Sequence, residues 1–198
     1  MKLIHCADIH LDSPMQTHMT AQQASVRNTE MLQSFVRLTE FAQEHAVRAV
    51  LIAGDLFDGA RVRARTVDAL LAAIRRTPEV DYLYLPGNHD EAANAFCDCA
   101  LPENLKVFGK KWTTYRYDGI AISGAQLGLD AAFYEALPHT DSAVNLVMLH
   151  GGIGTACGED MINLNLLKNR GIDYLALGHI HSYQTGPLDE TGSYCYPG

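Results

Sequence analysis

Seven residues of this chain have the types and spacing to hold metal ions: Asp8, His10, Asp55, Asn88, His150, His179 and His181. They occur as D-x-H (8–10), G-D (54–55), G-N-H-D (87–90), H-G-G (150–152) and G-H-x-H (178–181). In extended backbone, residues i and i+2 face the same side, so Asp8 and His10 point together, as do His179 and His181. Each pair makes half of a metal clamp. Oxygen and imidazole donors without cysteine suit a hard or borderline divalent ion such as Mn²⁺, Fe²⁺ or Zn²⁺. Seven donors exceed one site but suffice for two ions if one carboxylate bridges, and Asp55, on a sharp Gly-Asp turn, is the bridge the pattern suggests. Two ions about 3.5–4 Å apart activate water and stabilise the charge of an in-line phosphoryl displacement.

The elements that must position these residues are legible as short apolar runs. Residues 2–7, 48–54, 80–87, 143–151 and 173–179 have strand length, read as buried on both faces, and end in Gly, His or Asp. Helical spacing lies between them: Met31, Phe35, Leu38 and Ala42 share a face, as do Val67, Leu70, Leu71 and Ile74. The pattern also predicts a helix over 160–170 ended by Gly171, and a β-rich stretch over 105–125 turning at Asp118-Gly119. Strand and helix thus alternate in an α/β chain. In open α/β sheets the site forms beyond the carboxyl ends of the strands, where all five motifs fall. The strand over 80–87 stops so that Gly87 can deliver Asn88 to the second metal while His89 faces the substrate.

Length and composition agree. With 198 residues, 47% hydrophobic and 19% charged, we expect one globular domain spanning 1–198. No apolar run is long enough for a membrane span and no signal peptide is evident, so the expected compartment is the cytoplasm, without membrane association. Cys6, Cys97, Cys99, Cys157 and Cys195 lack paired metal spacing and read as reduced thiols; Cys97-x-Cys99 alone is a poor metal site. A net charge of −8 argues against a surface that grips nucleic acid everywhere, although Arg61, Arg63, Arg65, Arg75 and Arg76 cluster in one stretch.

With these motifs in order, the chain resembles the calcineurin-like metallophosphoesterase superfamily over residues 3–181. The wording "ADIHLDSPM" and "AGDLFDGARVRART" is similar to the SbcD-like DNA repair exonucleases. The resemblance implies a four-layer α-β-β-α sandwich of two mixed sheets flanked by helices, and a two-manganese phosphodiesterase. Asp8, His10, Asp55 and His181 would hold the first metal, and Asp55, Asn88, His150 and His179 the second. His89 matches the family's non-ligand catalytic histidine, with Asp90 expected to orient its ring, and a proton donor there suits a poor alkoxide leaving group. Asp12 and Asp58 are expected in supporting positions. Arg61 and Arg63, with Arg65, are candidates for phosphate contact, against the alternative of an exposed helix neutralising nearby acids. His18 could border substrate; His5, His45 and His139 read as structural or surface residues.

The implied activity is a Mn²⁺-dependent DNA nuclease acting 3′ to 5′ on single- or double-stranded ends with endonuclease capacity, in DNA repair. The alternatives are a phosphatase or phosphodiesterase for a small molecule, and a scaffold that has lost catalysis. Family members continue beyond "SYCYPG" into a capping domain and a segment binding an SMC-like coiled-coil ATPase, parts expected to be absent here. The amphipathic stretch 25–46 could serve a homodimer or pack against the core.

Overall fold

A computed structural model of the chain describes residues 1–15, 19–58, 62–90, 96, 99–158 and 160–198. His18, Arg61 and Cys97 lie outside these residues. The expected strands form close to the expected bounds: β1 (Leu3–Cys6), β2 (Ala49–Ala53), β3 (Asp81–Leu85), β7 (Val144–His150) and β10 (Tyr174–Gly178). Between β3 and β7 come β4 (Leu105–Val107), β5 (Thr113–Tyr117) and β6 (Ile120–Gly124); β8 (Gly152–Gly154), β9 (Met161–Asn163), β11 (Gln184–Pro187) and β12 (Ser193–Tyr196) complete the set. The helices are α1 (Ala21–Glu44), α2 (Ala64–Arg75) and α3 (Ala131–Glu135).

Two sheets pack face to face, β1-β2-β3-β4 and β11-β12-β10-β7-β6-β5. The period-two pattern of β2 shows why. Its residues are all buried, with Val50 and Ile52 turned toward α1 and α2 while Leu51 and Ala53 enter the core between the sheets. On the helix side, Phe35, Ala42, Val67, Leu70, Leu71 and Ile74 meet Val50, Ile52, Tyr82 and Tyr84. Between the sheets, Leu51, Leu83 and Leu85 meet Ile122, Leu146, Met148 and Ala176. Thr20 starts α1 with a reciprocal capping box to Gln23.

The α-β-β-α layering is present, with two differences from the expectation. The first sheet is parallel throughout and the second alone is mixed. The second difference is in the outer layer over the second sheet, which contains α3 and a 3₁₀ turn at Leu164–Leu166 instead of a helix over 160–170. Three asparagines explain it: Asn163 pairs in β9 and accepts the Asn165 N–H with its side chain, and Asn169 takes a left-handed φ of 58°. Short polar side chains that bond the local backbone compete with helix. Gly171 still turns the chain at φ 71°. Asp118-Gly119 links β5 to β6 as expected.

Candidate metal centre

Strand register brings the motifs level. Cys6 pairs with Ile52, Ala53 with Leu85, and His150 with Gly178, so the chains leave both sheets at the same end. There the backbone turns sharply: Asp8, His10, Asp55 and His179 all have positive φ (53°, 49°, 50° and 102°). Such conformations cost about 1–3 kcal/mol each and collect at functional sites. Gly54, at φ 93°, permits close packing, since a side chain there would occupy the place of the His150 imidazole.

Asp8, His10, Asp55 and His181 each place a ligand atom within 4.8 Å of the others. His10 Nε2 and His181 Nε2 face each other at 3.1 Å, and the Asp8 and Asp55 side chains are each only 1% exposed. A second group adjoins it. His150 Nε2 lies 3.0 Å from Asn88 Oδ1 and 3.3 Å from Asp55 Oδ2, and the same Asp55 oxygen is 3.8 Å from His10 Nε2. Asp55 therefore stands between the groups. The His179 ring lies against that of His150, centroids 5.4 Å apart, while the His179 backbone N–H donates to both Asp8 oxygens at 2.9 and 3.1 Å.

These residues fit divalent cations. His150 Nδ1 sits 2.9 Å from the Ala53 carbonyl, which only accepts, so Nδ1 carries the proton and Nε2 turns its lone pair toward two oxygens. A second proton or a cation must fill that gap. Without one, burial opposes charge on His150, yet the bond and charge of Asp55 raise its pKa above the ordinary imidazole value. Burial pushes Asp8 up, the Asp55 charge adds to the push, and the His179 N–H opposes it. Burial would raise Asp55 too, but the hydrogen bonds and charges around it, led by His150, hold it below the usual carboxylate range. His10 is lowered by burial.

Beside the first group, His89 Nδ1 lies 3.1 Å from Asp58 Oδ1, and the Ser13 hydroxyl donates to Asp58 Oδ2 at 2.6 Å. This corrects the expectation for Asp90, whose half-buried carboxylate takes the N–H groups of Leu56 (3.2 Å), Phe57 (2.8 Å) and Gly87 (2.9 Å). Asp90 joins the Gly-Asp turn to the Gly-Asn-His-Asp turn, and Asp58 is the partner of the His89 ring. Burial opposes the charge of Asp58, but the Ser13 and His89 bonds lower its pKa below the ordinary value. Arg63, a candidate either for phosphate contact or for neutralising a nearby acid, gives its backbone N–H and guanidinium to Asp12, the former at 2.7 Å. Asp12 thus braces the start of α2 and does not reach the metal groups. Arg65 is exposed on α2. Sequence reasoning missed Ser13, whose signal was its place in the loop directly after Asp8-x-His10. His5 is a structural histidine: it bonds Tyr174 at 2.9 Å, and burial lowers its pKa to about 4.

Residues 1–183 match the calcineurin-like phosphoesterase family, and the chain belongs to it; its domain is that of a metal-dependent hydrolase. The metallophosphoesterase YhaO of Bacillus subtilis is 28% identical across the whole chain, which covers 52% of that protein. The DNA double-strand break repair protein Mre11 of Methanopyrus kandleri is 26% identical over 91% of the chain and 44% of its own length. The chain thus spans about half the length of these relatives. Its fold is shared with TT1561 of Thermus thermophilus (TM-score 0.64, 13% identity, 99% of this chain and 88% of that one). A dimetal phosphatase from Danio rerio matches equally well (TM-score 0.64, 11% identity, 98% of this chain and 85% of that one).

Proposed function

We propose that this domain hydrolyses phosphodiesters at a centre of two divalent cations, with Mn²⁺ the working ion, and that DNA is its substrate. The observation that carries the reading is the position of Asp55 Oδ2 between His10 and His150, the place of a bridging carboxylate. Asp8, His10, Asp55 and His181 would hold one ion, and Asp55, Asn88, His150 and His179 the other. Bound there, the ions would neutralise phosphoryl oxygens and lower the pKa of water.

The chain's own residues do the rest. Asp58 holds the Nδ1–H of His89, and with the ring doubly protonated its Nε2–H would give a proton to the departing oxygen, the proton lost by the attacking water later restoring the ring. As the water oxygen bonds to phosphorus, the phosphorus–oxygen bond breaks with its electron pair on the leaving group. That group departs as an alcohol and the other product is a phosphomonoester.

Similarity to the DNA double-strand break repair protein Mre11 supports DNA as substrate and a role in repair; exonuclease action from 3′ to 5′ with endonuclease capacity is part of the same proposal. An SMC-like ATPase partner and a cytoplasmic setting belong to the same proposal. Among the described residues no helix is long and apolar enough to cross a membrane. The second reading is a small phosphoester as substrate. It is favoured by the tie between Arg63 and Asp12, which removes one cation from the mouth of the site, and by the net charge of −8, of which two ions would offset about +4 locally.

The test is hydrolysis of a labelled DNA oligonucleotide and of bis-p-nitrophenyl phosphate, with Mn²⁺ or with chelator, by wild type and Asp55→Ala. Cleavage of both, reduced about 100-fold or more by chelation and by the substitution, is expected. Undiminished cleavage under either change would overturn the two-metal reading. Cleavage of the small ester alone would favour the second reading.

A further inference from the structure

Next to the Asn88–His150 side of the centre lies a cleft of about 240 Å³ that the hydrolytic residues do not fill. Gln126, Leu127 and Leu129, from the segment after β6, line it together with Asp160, from the turn before β9. Its backbone is anchored on both sides: the Gln126 N–H donates to Gly109 O at 2.9 Å, and the Asp160 carbonyl accepts from Gly152 N at 2.8 Å. Gln126 and Asp160 are half-buried residues, and their side chains make no hydrogen bond among the described residues. Leu129 is 69% exposed at the lip, while Leu127 packs against the outer core of the second sheet.

A ligand matching this cleft has an apolar face for the leucines and N–H donors for Asp160, with an edge that a carboxamide can read. It must also be attached to a phosphoryl group, because the cleft opens onto Asn88 and His150. Adenine and cytosine, which carry their exocyclic amine on the edge where thymine and guanine carry a carbonyl oxygen, meet these conditions: a carboxamide pairs with the N6/N7 edge of adenine, and a carboxylate accepts from N4 of cytosine. Thymine presents a carbonyl oxygen in that place, which would face the Asp160 carboxylate acceptor to acceptor.

We infer that this cleft is a nucleobase subsite, which seats the base beside the scissile phosphate and prefers adenine or cytosine to thymine. The inference rests on the phosphodiesterase reading of the adjoining centre. Leu127 and Leu129 supply contact that any base can use, and Gln126 and Asp160 supply the discrimination.

The experiment compares kcat/KM for the 5′-p-nitrophenyl esters of deoxyadenosine, deoxycytidine and thymidine monophosphate, with bis-p-nitrophenyl phosphate as the base-free ester. The wild type should favour the two amine-bearing esters over the thymidine ester by about tenfold or more. Asp160→Asn keeps the shape and tolerates the φ of 56°, and it can donate to a thymine carbonyl, so the ratio should shrink toward unity. Gln126→Ala should lower the ratio for adenine more than for cytosine. In the NMR spectrum, the Gln126 side-chain amide signals should move on titration with deoxyadenosine monophosphate and not with thymidine monophosphate. Equal kcat/KM for all three base-bearing esters in wild type, or a ratio untouched by both substitutions, would overturn the subsite while cleavage of the base-free ester left the phosphodiesterase reading standing. Failure to cleave any ester, the base-free one included, would overturn both.

Discussion

At the residue scale, His89 and Asp90 are neighbours in sequence with separate work. The ring of His89 is held by Asp58, itself held by Ser13, whereas Asp90 accepts three backbone N–H groups. His89→Asn should therefore lower kcat by about 10²–10⁴-fold, with Mn²⁺ affinity by calorimetry close to wild type. Asp90→Ala should instead lose stability, by about 2–4 kcal/mol, because buried donors are left unpaired; urea unfolding would measure it. The motif G-N-H-D was legible in the sequence, but not which carboxylate meets the ring. That pairing depends on Asp58 returning from another strand end, a contact across 31 positions. Asp12 carries a pH signature. Burial opposes its charge, but the Arg63 bonds hold its pKa below the unfolded value, near 3.9, so its contribution is present above that value and lost as pH falls through the folded one. The melting-temperature gap between wild type and Asp12→Asn should be constant from neutral pH to about pH 5 and close below it.

At the element scale, strand ends were the most legible feature. Both faces of β2 and β3 are buried, so a continuous apolar run stops where polar ligands begin. The segment 160–170 was misread because its leucines have helical spacing while its asparagines bond locally. Packing between strand ends is tight enough that one methyl group should matter. A side chain on Gly87 would meet the Asp55 carboxylate and the Asp55 backbone nitrogen. Gly87→Ala should weaken Mn²⁺ binding at least about tenfold, read by calorimetry, with far-ultraviolet circular dichroism preserved.

At the scale of the whole molecule, the candidate ligands come from two sheets: Asp8 and His10, Asp55, and Asn88 follow β1, β2 and β3, whereas His150, His179 and His181 end or follow β7 and β10. The sequence showed the strand ends but not their division between two sheets, because burial on both faces is the same signal in either sheet. Ions bound between the sheets would tie one to the other. Chelation should then lower the melting temperature, by an amount equivalent to about 2.7 kcal/mol if the free metal stood at a hundred times its dissociation constant. Scanning calorimetry with and without Mn²⁺ would show this independently of any substrate.

The most direct test of the two-metal centre is anomalous diffraction from crystals grown with Mn²⁺, collected at the manganese edge. Two peaks about 3.5–4 Å apart are expected on either side of Asp55, one bounded by Asp8, His10 and His181 and the other by Asn88, His150 and His179. A single peak, or two peaks that do not share Asp55, would contradict the two-metal centre.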